Sequence, residues 1–305
     1  MIRYISLFVA LLVSSAGFAA PAYKVEQKFG AKVCKNLITY LAVYKDKIYV
    51  LEKSGTLRIF ETKSGKSVGE FDTGLKNTTA LAMSPEGKIY VFSTITKRTP
   101  KIIKNRKYFL TSFEGVACNI FDLTGKKIKS LKLAGPKSAT AARIIDGKLL
   151  VADQYQHALF ILKAKTGKKI RIKKGFRLCC GLFDFCEGPN QTYVVANLGA
   201  FNVQQFNMKG KLVHSFGKRG RSLTEFHGCC NPVSLGYLPD GSLVTVEKDP
   251  TRVKIYDPTY KTAQQIEGLE ELVKGCSYIP VAINEQGEIF LAASTKKYIV
   301  KCVPK

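Results

Sequence analysis

Nine cysteines lie in this 305-residue chain, and their positions repeat. Cys34 lies 14 residues before Ile48, and Cys276 lies 13 before Ile289. Cys179 and Cys180 lie 14 and 13 before Tyr193, and Cys229 and Cys230 lie 14 and 13 before Leu243. The four reference residues each lead the same kind of short β-branched or aromatic run, so six thiols share one register position. Three chemistries suit them. Disulfides could join neighbouring loops or the members of one Cys-Cys pair, as oxidising compartments favour. Thiolates converging from several loops could hold zinc, copper(I) or an iron–sulfur cluster. Thiols beside cationic turns could instead be reactive. The odd count leaves at least one thiol without a partner in the same molecule. His227, two residues before Cys229, offers a nitrogen to a metal set, or is simply a turn residue. Cys118, Cys186 and Cys302 fall inside strand patterns and read as small buried apolar residues.

The elements that position these thiols follow from the repeated run. It occurs as Lys47-Ile48-Tyr49-Val50, Lys88-Ile89-Tyr90-Val91, Lys148-Leu149-Leu150-Val151, Thr192-Tyr193-Val194-Val195, Ser242-Leu243-Val244-Thr245 and Glu288-Ile289-Phe290-Leu291. The spacings are 41, 60, 44, 50 and 46 residues, a period that means stacked four-stranded units. The expected fold is all-β, a six-bladed β-propeller filling residues 20–305 as one domain. The blades are roughly 34–74, 75–134, 135–176, 177–217, 227–268 and 274–305. The last unit is one strand short, and residues 23–30 have the pattern to complete it, which would close the ring and remove its edges. The cysteine-bearing units one, four, five and six are consecutive around such a ring. Their thiols are therefore expected on one arc of the channel mouth. The 60-residue spacing marks an insertion, a basic loop holding Lys97, Arg98, Lys101, Lys104, Arg106 and Lys107. It reads either as a grip for an anionic surface or as a solvated excursion.

The first 19 residues read as a cleaved export signal: Arg3, an apolar run from Ile5 to Val13, then small residues. That run is too short for a stable membrane anchor, and no other stretch approaches transmembrane length. A periplasmic or extracellular location is expected. The formal charge of +25 favours acidic partners, an anionic envelope polymer or lipid headgroups, with a protein as the other expected partner. No nucleic-acid module is recognisable and Trp is absent, which makes nucleic acid the weakest option.

The stretch Phe216-Gly217-Lys218-Arg219-Gly220, Phe226-His227-Gly228-Cys229-Cys230-Asn231-Pro232-Val233, Leu238-Pro239-Asp240-Gly241 and Arg252-Val253 resembles an NHL-type propeller repeat. The Cys-Cys-Asn-Pro run, with Cys179-Cys180-Gly181 one unit earlier, resembles an exported bacterial subgroup of NHL-repeat proteins. The resemblance covers units four and five best and unit two least. It implies the fold firmly and the function hardly at all, because this scaffold serves binders and enzymes alike.

Catalytic signatures are thin. No Gly-x-Ser-x-Gly, His-Glu-x-x-His or phosphate loop is present. Asp153 and Glu247 end second strands, where carboxylates serve turn amides. Asp184 is the one carboxylate placed to face the channel. The expectation is a non-enzymatic binding platform with the cysteine-lined mouth as its working face. The alternative is a propeller enzyme or redox protein with a thiol-held metal there.

Overall fold

The computed structural model describes residues 20–103, 106–275 and 277–305. The candidate export signal, Lys104 and Cys276 lie outside the described residues. Six four-stranded antiparallel sheets follow one another along the chain. In blade one the strands are Ile38–Tyr44, Lys47–Glu52, Thr56–Glu61 and Ser67–Asp72, in that order from the centre outward. The innermost strands of successive blades touch in sequence, and the sixth touches the first, so the ring is closed.

The sequence dictates this layering. Second strands are buried on both faces, because each blade packs between two others; Leu149, Leu150 and Val151 are all fully buried. Such positions demand continuous apolar runs rather than alternation. The apolar clusters sit between blades: one joins Leu149, Val151 and Phe160 of blade three to Ala80, Phe92 and Leu131 of blade two. Each buried Leu, Ile or Val contributes roughly 1.5–3 kcal/mol. Fourth strands are mostly exposed and lysine-rich, as in Lys127–Lys132 and Lys169–Lys174. Lysines on these outermost edges discourage pairing with another chain, and they account for part of the basic charge.

The N-terminal strand completes blade six as the sequence predicts. Tyr23–Phe29 pairs antiparallel with Tyr298–Pro304, with Val25 opposite Cys302. The Tyr23 hydroxyl donates to the Gly287 carbonyl at 2.8 Å. Buried Lys301 bridges Glu26 at 2.9 Å and Glu288 at 2.7 Å, tying this strand into the sheet.

One expectation is corrected. Residues 97–103 and 106–107 are not a loop set apart from the sheet. The second and third strands of blade two, Ile89–Ile103 and Arg106–Phe121, continue as a paired hairpin from Thr96 opposite Phe113 to Ile103 opposite Arg106. Both faces of the extension are wet, so the sequence lacks the apolar alternation that marks a half-buried strand.

Candidate metal centre at the channel mouth

Blades one, three, four and five fasten the segment leading into the innermost strand with a polar residue at the end of the second strand. Glu52 accepts the N–H groups of Lys35 and Asn36, both at 3.0 Å. Asp153 accepts that of Lys137 at 2.7 Å. Asn197 accepts that of Arg177, and Glu247 that of His227, each at 2.7 Å. The fastened partners are 16 residues apart for Asn36 and Lys137 but 20 apart for Arg177 and His227. Blades four and five therefore carry a longer excursion between fastening point and innermost strand. The Cys-Cys pairs begin two residues into it.

Adjacent residues in extended chain point to opposite sides. Here the second cysteine of each pair is left-handed, with φ of 56° at Cys180 and 60° at Cys230, which turns both sulfurs the same way. The intra-pair Sγ–Sγ distances are 3.4 Å and 3.3 Å. Gly228 makes the tight approach possible: at φ +76°, a Cβ there would stand 2.5 Å from the Asp249 carbonyl. Asn231 locks the loop, donating to the carbonyls of His227 at 2.5 Å and Lys248 at 2.9 Å while accepting the Lys248 N–H.

The two loops meet. The sulfurs of Cys179, Cys180, Cys229 and Cys230 all lie within 4.8 Å of one another. A tetrahedral tetrathiolate zinc site with bonds of about 2.3 Å has sulfurs about 3.8 Å apart, so movements of a few tenths to about 1 Å would seat the ion. Cys230 is buried and Cys180 exposed, so one side of the cluster is open to solvent. A hydrogen bond from Cys179 lowers the Cys180 thiol against the cost of burial, and the fully buried Lys248 helps. Burial raises Cys230. A thiol poised low beside a lysine suits a soft cation. The described cysteines form no disulfide.

Cys34 does not join this group. Counting back from the second strand puts it in register, but the shorter segment of blade one leaves it just before the fastened Lys35. It packs in the core between blades one and six, beside Ile38, Phe60 and Phe290. Burial pushes its thiol up to about 12. His227 also falls outside the sulfur group, and its backbone serves Glu247 instead. Cys118, Cys186 and Cys302 are buried, as expected. Lys97, Arg98, Lys101, Arg106 and Lys107 are exposed along the blade-two hairpin.

Sequence reading missed what surrounds the cluster. Cys179, Cys180 and Gly181 border a recess of about 310 Å³ with Phe113, Tyr155 and His157. The Phe113 ring sits 4.7 Å from that of Tyr155, joining the hairpin root to blade three. Gly181 and Leu182 also border the channel mouth at the start of the innermost strands, a largely apolar cavity of about 240 Å³. A plug closes it below: Tyr40 stacks on Tyr278, and Arg143 pairs with fully buried Asp184 at 3.6 Å. Burial raises the Asp184 carboxyl against the pull of Arg143. Beyond the plug, Arg143, Glu187 and Tyr237 help line a second cavity of about 380 Å³.

Closed ring, six blades and central channel define a six-bladed β-propeller. No family model matches the chain, and no curated protein does. Among solved structures it is similar to one titled "Streptogramin B lyase structure", with a TM-score of 0.59 and 10% identity. The similarity covers 93% of this chain and 98% of that one, and at this identity it shows the shared fold.

Proposed function

We propose that this protein is an exported metal-binding propeller of the NHL type, a rigid platform that presents a tetrathiolate centre at one channel mouth. Zinc or copper(I) is the cargo that four sulfur donors select. The observation that carries this reading is the convergence of two Cys-Cys pairs from adjacent blades within 4.8 Å. Rigid blades hold the donors, Asn231 and Glu247 brace one loop from behind, and exposed Cys180 leaves a path for the ion. The repeat phrases of units four and five support the NHL assignment, and the leader-like first 19 residues support export.

The test is elemental analysis with a thiol count on protein purified after export and again from a reducing compartment. One zinc or copper per chain, released with exposure of four thiols, is the expected result. Metal-free protein with the four cysteines oxidised in pairs, and no uptake after reduction, would overturn the reading.

A further inference from the structure

The blade-two hairpin supplies no sulfur to the metal centre, and beyond its root, where Phe113 packs on Tyr155, residues 96–102 and 106–112 are all exposed. Its extension beyond the sheet runs eight residues per strand from Thr96, about 25 Å at strand rise. Five of the 13 exposed large apolar side chains among the described residues belong to this hairpin: Ile95, Ile102, Tyr108, Phe109 and Leu110. Ile102 is 75% exposed and Phe109 57%. Interleaved with them are Lys97, Arg98, Lys101, Arg106 and Lys107, and no acid falls among residues 95–113.

The pairing register places these groups on both faces. Pro100 lies opposite Phe109 and Ile102 opposite Lys107, whereas Lys101 opposite Tyr108 and Thr99 opposite Leu110 occupy the other side. Each face near the tip is thus both apolar and cationic, and the Lys107 ammonium lies 5.5 Å from the Phe109 ring centroid. A folded protein partner would cover one face and leave Tyr108 and Leu110, or Ile102 and Phe109, in water. A soluble polyanion would use the cations and leave all the apolar groups wet. Only a medium that surrounds the tip satisfies every group at once, with rings and aliphatic groups at headgroup depth and long basic side chains reaching phosphates.

We infer that the hairpin is a tip-first anchor for the surface of an anionic lipid bilayer. Insertion stays interfacial, because strand edges carry unpaired backbone groups that hydrocarbon would not accept. The root contact of Phe113 with Tyr155 fixes the hairpin beside the cysteine mouth, so docking would hold that mouth close to the membrane.

The chain lacks Trp, so one substitution creates a unique reporter. Phe109→Trp, Leu110→Trp on the other face and Ile170→Trp on blade three, each in the full protein, would be titrated with vesicles. The vesicles are phosphatidylcholine alone, or phosphatidylcholine mixed with phosphatidylglycerol. The expected result is a blue shift and quenching by brominated acyl chains for both tip reporters, in the anionic vesicles only, with Ile170→Trp unchanged. Lys101→Ala and Lys107→Ala should each weaken partitioning about fivefold, from about 1 kcal/mol per basic residue at an anionic surface. Unchanged melting would show these exposed variants to be folded. Absence of vesicle binding overturns the inference. So does binding in which all three reporters respond alike, or in which the tip reporters stay unquenched and heparin competes fully.

Discussion

Glu247→Gln would show how strongly the blade-five cysteine loop is braced. Glu247 is fully buried and meets Lys254 Nζ at 2.8 Å, Arg252 Nη2 at 2.7 Å and the His227 N–H at 2.7 Å. Burial pulls Lys254 down to about 8 even with this carboxylate beside it. In the variant its pKa falls further. The added loss near neutral pH is bounded, because a neutral lysine has nothing more to lose. The interval from about 8 to about 7 is worth about 1.4 kcal/mol. Arg252 loses a charge-assisted bond and His227 a charged acceptor, together about 2 kcal/mol. The expected deficit is therefore about 3 kcal/mol near pH 7, the low end for breaking a buried ion pair. Its pH dependence has a definite sign. The folded pKa of Lys254 lies below the unfolded 10.5, so the unfolded chain binds more protons from about pH 8 upward, and stability from this group rises with pH across that window. In Glu247→Gln the window extends further down. The deficit against the natural protein should narrow to about 2 kcal/mol by about pH 9. Urea unfolding followed by circular dichroism at both pH values, with equal slopes, measures it. A deficit under about 1 kcal/mol, or one that widens toward pH 9, refutes the reasoning.

Asp257 is pushed up by burial, but the hydroxyls and N–H groups of Thr259 and Thr262 outweigh this and hold it at about 2. Its contribution is present above the unfolded 3.8 and lost as pH falls toward 2. Asp257→Asn should cost about 1–2 kcal/mol at neutral pH, with the difference vanishing on acid titration near pH 2. Cys34→Ala should leave metal stoichiometry unchanged in elemental analysis, while Cys180→Ala should lower it sharply; equal loss in both would place Cys34 back in the site. Deleting residues 20–29 should expose the Tyr298–Pro304 edge and leave Lys301 without Glu26, giving aggregated or swapped species in sedimentation. A monomer of unchanged melting temperature would contradict that.

The ring was legible because a strand packed on both faces tolerates little but β-branched and aromatic residues. Ile48, Ile89, Leu149, Tyr193, Leu243 and Ile289 are each fully buried, and they set the period. The spare strand at Tyr23 was legible for a different reason: it has the pattern of the other half-exposed outer strands, and the last unit was one strand short. The cysteine cluster was half legible. Counting from second strands assumes equal loops, which holds for blades four and five and fails for blade one, where the shorter segment turns Cys34 into the core. The polar residue ending the second strand of blades one, three, four and five (Glu52, Asp153, Asn197 or Glu247) is the better ruler, since it is bonded to the segment in question. The approach of Phe113 and Tyr155 to the thiols was not legible, because it joins blades through a hairpin whose pattern shows no burial.

Sulfur ligation is the most direct test of the account. X-ray absorption at the zinc edge of the zinc-loaded protein should fit four sulfur neighbours at about 2.3 Å, the distance thiolates set. A shell dominated by nitrogen or oxygen, or fewer than three sulfurs, would contradict it.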